Sequence, residues 1–175
     1  PLPAPPPRRP KARPEPPLIA PGARYAWLTM TTTDDRGAPP AGTRTHELPI
    51  QLRFRDADAY GHVNNAVYST WAESARIALA RDINPPLGDL ILARIEIDFV
   101  EQVRLEDDVA VETWLERLGT TSMHVRHRVL ANGVAAAQIR TVVVLYDYSA
   151  MAKRPFADDE RAALAPYLAS HAGDA

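Results

Sequence analysis

The spacing of apolar and polar positions divides the chain beyond about Thr45 into one long helix and a series of strands. Leu48, Ile50, Leu52 and Phe54 alternate with Gln51, Arg53 and Arg55, which predicts a half-buried strand over Leu48 to Phe54. From Asn65 to about Ile83 the period lengthens. Val67, Trp71, Ala75, Ala78 and Leu79 recur at three- and four-residue spacing and form one helical stripe. The small residues Ala72, Ala75 and Ala78 allow a close approach to a packing surface. Glu73 and Arg76 are placed to pair at i, i+3, a surface or interface ion pair. Asn84-Pro85-Pro86 cannot continue the helix.

After Gly88 the period returns to two. Ile91, Ala93, Ile95, Ile97 and Phe99 alternate with Arg94, Glu96 and Asp98. A polar turn from Arg104 to Asp108 leads into a strand from Val109 to Leu118, and Gly119-Thr120 makes the next turn. Met123, Val125, His127 and Val129 alternate with His124, Arg126 and Arg128, which sets the two histidines on opposite faces with no metal-ligand spacing. Asn132-Gly133 is a hairpin signal. The strand from Ala135 to Tyr146 is nearly all apolar in its second half, which predicts a central place in the sheet. Pro155 and Phe156 end the sheet, and Asp158 caps a short helix from Glu160 to Ala169. The order is strand, long helix, four strands. That is α+β, with an antiparallel sheet against one helix. One helix covers a sheet face incompletely, so pairing of sheets edge to edge in a dimer is expected.

Composition sets the limits. One domain is the expectation for 175 residues, and 46% apolar content supports a sizeable core. A net charge of -2 gives no sign of a nucleic-acid partner. The absence of cysteine removes disulfides and thiolate chemistry and points to a cytoplasmic setting. No apolar run approaches the ~20 residues that span a bilayer.

Residues 1–44 differ in kind. Nine of the 17 prolines precede Leu18, among Arg8, Arg9, Lys11 and Arg13, and such a composition is expected to stay disordered. Leu18-Ile19 and Tyr25-Ala26-Trp27-Leu28 are apolar islands able to dock on a domain. Met30, ahead of a polar stretch, marks a candidate native start, with the preceding residues a leader or an upstream extension. The expected organisation is therefore a Pro-rich tail over 1–44, a domain over 45–148, and a C-terminal extension over 149–175.

The candidate chemistry lies between the first strand and the long helix, in Arg55-Asp56-Ala57-Asp58-Ala59-Tyr60-Gly61-His62-Val63-Asn64-Asn65-Ala66-Val67-Tyr68. A helix N-terminus offers free backbone N–H groups and a positive dipole end, both suited to an oxyanion. A carboxylate beside such an end is the minimum for splitting an acyl bond. Turn and cap formation is the alternative reading of the same two aspartates. Gly61 suits a positive-φ turn or a close approach of substrate, the latter being favoured. Asn64 and Asn65 suit N-caps. Tyr68 and Trp71 suit core or pocket wall.

The pattern Asp56-x-Asp58-x-x-Gly61-His62-Val63-Asn64-Asn65-x-x-Tyr68, followed by Trp71 and Glu73-x-x-Arg76, resembles the hotdog-fold acyl-CoA thioesterases, in particular the 4-hydroxybenzoyl-CoA thioesterase-like family. The resemblance covers about Leu48 to Tyr148. It implies a sheet wrapped around one long central helix, a homodimer or homotetramer with sites at subunit interfaces, and hydrolysis of acyl-CoA without metal or bound cofactor. It places the catalytic aspartate at Asp58, as base or nucleophile. Asp56 then orients the loop. Tyr60, Gly61, His62, Val63, Asn64, Asn65 and Tyr68 become the substrate-binding set, with the carbonyl oxygen on backbone N–H groups from Gly61 to Asn65. The acyl chain is expected along Tyr68, Trp71 and Ala72. The nucleotide is expected on basic surface among Arg104, Arg126, Arg128 and Arg140. Some members carry histidine where Asn65 stands and tyrosine where Phe54 stands, so those side-chain roles do not transfer. A hotdog dehydratase, a non-catalytic acyl-CoA binding module and a structural partner protein are the rival readings.

Overall fold

The structure, a computed structural model, describes residues 37–169; the Pro-rich stretch, its apolar islands and Met30 lie outside the described residues. The elements are β1 (His46–Ile50), a 3-10 turn (Phe54–Asp56), α1 (Asn65–Asp82), β2 (Leu90–Phe99), β3 (Val109–Leu118), β4 (Ser122–Ala131), β5 (Val134–Asp147), β6 (Ala152–Lys153), α2 (Asp158–Leu164) and a second 3-10 turn (Ala165–Tyr167). The sheet runs β1-β3-β4-β5-β2 with neighbouring strands antiparallel, and β6 pairs with the end of β5. Helix α1 packs against β1, β2, β3 and β4, so the sheet wraps the helix in the hotdog arrangement.

Local chemistry accounts for the boundaries. The alternation after Ile50 does not continue as strand. Asp56 turns the backbone into the first 3-10 turn, accepting the Arg53 N–H on Oδ2 at 2.9 Å. Phe54, expected to be buried, is therefore 91% exposed. Helix α1 begins at Asn65 because Asn64 caps it, its Oδ1 accepting the Ala66 N–H at 2.9 Å. Asn132 and Gly133 both take positive φ, as the tight β4–β5 hairpin requires. Ala93 does not extend the alternation of β2. The register slips between Leu92 and Arg94, a bulge that twists this edge strand. Strand β5 lies between β4 and β2, one place off the centre. Helix α2 starts two residues earlier than expected. Asp158 is its first residue, and the cap position falls on Ala157, whose N–H donates to Glu160 Oε2 at 2.8 Å.

Two apolar clusters fill the space between α1 and the sheet. Tyr68, Trp71, Ala72 and Ala75 pack on Val109, Val111, Val129 and Ile139. Further along the helix, Leu79 and Ile83 pack on Leu115, Met123, Val125, Val143 and Leu145, closed by Phe156, Leu164 and Tyr167. Burying each such large side chain stabilises the fold by about 1.5–3 kcal/mol. A polar band separates the clusters: Arg76, Thr113, His127 and Thr141, all buried. His127 bonds Thr113 Oγ1 through Nδ1 at 3.0 Å and Thr141 Oγ1 through Nε2 at 3.2 Å. Burial, and then the charge of Arg76, push its pKa down to about 3, so the ring is neutral.

Candidate active site

The loop from Arg53 to Asn64 is held almost wholly by its own backbone. Gly61 N–H donates to Asp58 O at 3.2 Å and closes a tight turn. Gly61 sits at φ +80°, and a Cβ there would meet nothing within 4 Å. The turn conformation, and not crowding by the protein, is what calls for glycine. Asp58 N–H donates to His62 O at 2.7 Å, and Asn64 N–H to Asp56 O at 2.8 Å. Val63 N–H reaches Val103 O at 2.8 Å, and His62 forms a bridge with Arg104. These ties anchor the loop to the segment after β2.

Both carboxylates are positioned by amides. Asp56 is half-buried, and its Oδ2 serves Arg53 N–H. Asp58 is exposed, and its Oδ1 accepts from Tyr60 N–H at 2.7 Å and His62 N–H at 3.2 Å. Its Oδ2 has no hydrogen bond among the described residues. Asp58 thus presents one oriented, unshared oxygen to the outside.

The amides from Gly61 to Asn65 are unequal. Those of Gly61, His62, Val63 and Asn64 already donate within the chain. Asn65, the first residue of α1, has an N–H with no acceptor among the described residues. Asn65 is therefore not the cap; Asn64 is. The broad set of donors narrows to one amide at the positive end of an 18-residue helix.

The remaining expected contacts separate by burial. Tyr60 is 84% exposed beside Asp58, and His62 is half-buried with no side-chain hydrogen bond among the described residues. Val63 and Tyr68 are buried in the core and support the loop from behind. The Tyr68 ring meets Phe99 edge-on at 5.0 Å and Trp71 at 4.8 Å. Burial, assisted by Asp107, pushes its pKa up to about 12 and keeps the hydroxyl protonated. Ala72 is likewise fully buried.

Trp71, at 4% exposure, reaches open space. It helps line a cleft of about 440 Å³ between β1 and α1, with Leu48, Ile50, Val67, Thr70 and Ser74, and with Arg53, Arg55 and Asp56 from the loop. Residue spacing did not single out this cleft, because Arg53 and Arg55 read as the outward positions of a strand that in fact ends at Ile50. Of the basic residues expected to meet a nucleotide, Arg126 pairs with Glu116 at 3.7 Å and Arg128 with Glu112 at 2.7 Å. Arg104 and Arg140 are exposed and outside the ion pairs of the described residues. Among the described residues no group of three or more His, Asp or Glu side chains is placed to hold a metal ion. No described helix is long and apolar enough to cross a membrane.

A family model described as the thioesterase-like superfamily matches residues 52–164. The chain belongs to the thioesterase-like superfamily. The matched stretch takes in the Asp58 loop, α1 and the main sheet from β2 to β5. A predicted thioesterase from Bacillus stearothermophilus is 29% identical, with a TM-score of 0.67, over 73% of this chain and 99% of that one. A thioesterase from Thermus thermophilus, complexed with coenzyme A and Zn, is 34% identical, with a TM-score of 0.62, over 67% of this chain and 95% of that one. The DHNA-CoA thioesterase of Staphylococcus aureus shares the fold at 17% identity and a TM-score of 0.57, over 64% of this chain and 79% of that one. A search of curated proteins gives no match. For this member of the thioesterase-like superfamily, the fold and the family both support thioester hydrolysis as the general class of activity.

Proposed function

We propose that this domain hydrolyses acyl-CoA thioesters to the free acid and CoA, with Asp58 as general base or nucleophile. The observation that carries the reading is the Asp58 carboxylate. Two amides hold one oxygen, and the other is left free on an exposed loop at the head of α1. The thioester carbonyl would accept the Asn65 N–H, where charge develops in the tetrahedral intermediate. A fixed donor of this kind contributes about 3–4 kcal/mol to the transition state. Asp58 either takes a proton from the attacking water or attacks the carbonyl carbon itself. Thiolate departs readily, so the site needs no strong acid. The coenzyme A bound by the 34%-identical relative supports a CoA-type substrate here.

The site is proposed to work within a homodimer or homotetramer. Strand β2 is a sheet edge, and Leu92 and Phe99 on it are 39% and 44% exposed, an apolar edge that a second copy can cover.

CoA release from a panel of short, long and aromatic acyl-CoAs, followed with a thiol reagent, tests the activity. The chain has no cysteine, so the reagent reports only the released thiol. Turnover of at least one ester is expected. Tight acyl-CoA binding with no thiol released from any would contradict the proposal and leave a binding module.

A further inference from the structure

The cleft between β1 and α1 is a second feature of the same loop. It is lined by Asp56 and not by Asp58, so it lies beside the proposed reaction site. Leu48, Ile50, Val67 and Trp71 give it apolar walls that continue into the core. From Val67 to Ser74 the helix wall rises about 10 Å at 1.5 Å per residue. Ser74 Oγ donates to Thr70 O at 2.9 Å, which commits its proton to the helix. Arg53 and Arg55 border the cleft from the loop. Both are exposed, and neither belongs to an ion pair among the described residues. The one acid on the lining, Asp56, has its Oδ2 engaged by Arg53 N–H, so the lining carries two guanidinium groups and a single carboxylate.

A cleft of this size, its lining divided between apolar side chains and polar ones that include two arginines, has the make-up of a small-molecule site. Its chemistry selects an apolar body about 10 Å long with an anionic head. We propose that it binds an amphipathic carboxylate, the chain on Leu48, Ile50, Val67 and Trp71 and the head group on Arg53 and Arg55. If the proposed hydrolysis holds, the acid it releases belongs to this class, and the site retains product next to the loop that forms it. The binding itself does not depend on Asp58, so failure of one proposal leaves the other standing.

Calorimetric titration of the full chain with sodium octanoate, 1-octanol and CoA tests the assignment. Octanoate should bind saturably at one site per chain. Octanol should bind about tenfold more weakly, the loss expected for a charge-assisted hydrogen bond. The double variant Arg53→Ala/Arg55→Ala should bring octanoate to the octanol level, while Arg53→Lys/Arg55→Lys should keep most of the preference. Ser74→Leu, at an exposed helix position, should fill the cleft and weaken both ligands at an unchanged melting temperature. Absence of octanoate binding, equal binding of acid and alcohol, or indifference to the alanine pair would overturn it. Competition between CoA and octanoate would also overturn it, by assigning the arginines to the phosphates of a CoA ester.

Discussion

His127 makes a direct test of packing at the scale of one residue. The ring is fully enclosed between Thr113 and Thr141 and feels the charge of the Arg76 guanidinium. Its pKa falls from 6.5 to about 3 on folding. Between those values the unfolded chain binds the proton that the folded chain refuses, so stability drops as pH falls from about 6.5 toward 3. The slope from one such proton is at most about 1.4 kcal/mol per pH unit. His127→Gln keeps a hydrogen-bonding group without the titration. Its melting temperature should therefore fall less steeply than the wild type's below pH 6, since the carboxylates titrate alike in both. Parallel curves would show that His127 is protonated in the fold. The inward face of His127 was legible, because Met123, Val125 and Val129 share its phase. Arg76 was not. Its i, i+3 bond to Glu73 forms at 3.2 Å, yet the Arg76 side chain is only 5% exposed against 56% for Glu73. Burial holds the Arg76 pKa below its usual value, and Nη1 is buried without a partner among the described residues. Periodicity finds the stripe of a helix but not how far the sheet wraps around its flanks.

At the scale of elements, the hinge of the architecture is the junction where β1 gives way to the loop and α1. The strong periods placed α1 and β3 closely, because each keeps one face against the core for its whole length. Element ends were harder to read. β1 stops at Ile50 although alternation continues to Phe54, and the stop depends on Asp56 bonding back to Arg53. Hydrophobic period carries no trace of such a bond. The Asp58 loop was visible as a composition, but the inequality of its amides follows from tertiary pairing with Val103 and Arg104. The cap is testable alone. Asn64→Ala removes the acceptor of the Ala66 N–H and should cost about 1 kcal/mol, a melting-temperature drop of about 2–4 °C. Asn65→Ala, which leaves that cap intact, should change the melt far less. Equal losses would contradict the assignment of the cap to Asn64.

At the scale of the molecule, the open β2 edge and the exposed loop meet in one expectation, an assembly that hydrolyses thioesters. Sedimentation at micromolar concentration should give a multiple of the 19.3 kDa chain, and Leu92→Glu should shift it toward the single chain. A wild type found only at 19.3 kDa would contradict the oligomer. The central claim is narrower and concerns Asp58. Asparagine is isosteric, and its Oδ1 can accept the same amides of Tyr60 and His62, so Asp58→Asn should keep the loop and the melting temperature. What it loses is the negative charge that takes a proton or attacks carbon. Steady-state kinetics on the best acyl-CoA substrate should show kcat lower by about 100- to 10,000-fold. KM should change little, because the lost interaction matters mainly in the transition state. Asp56→Ala, which removes the acceptor of the Arg53 N–H, is the control, expected to lose stability more than turnover. Wild-type turnover by Asp58→Asn, with the fold intact, would contradict the mechanism.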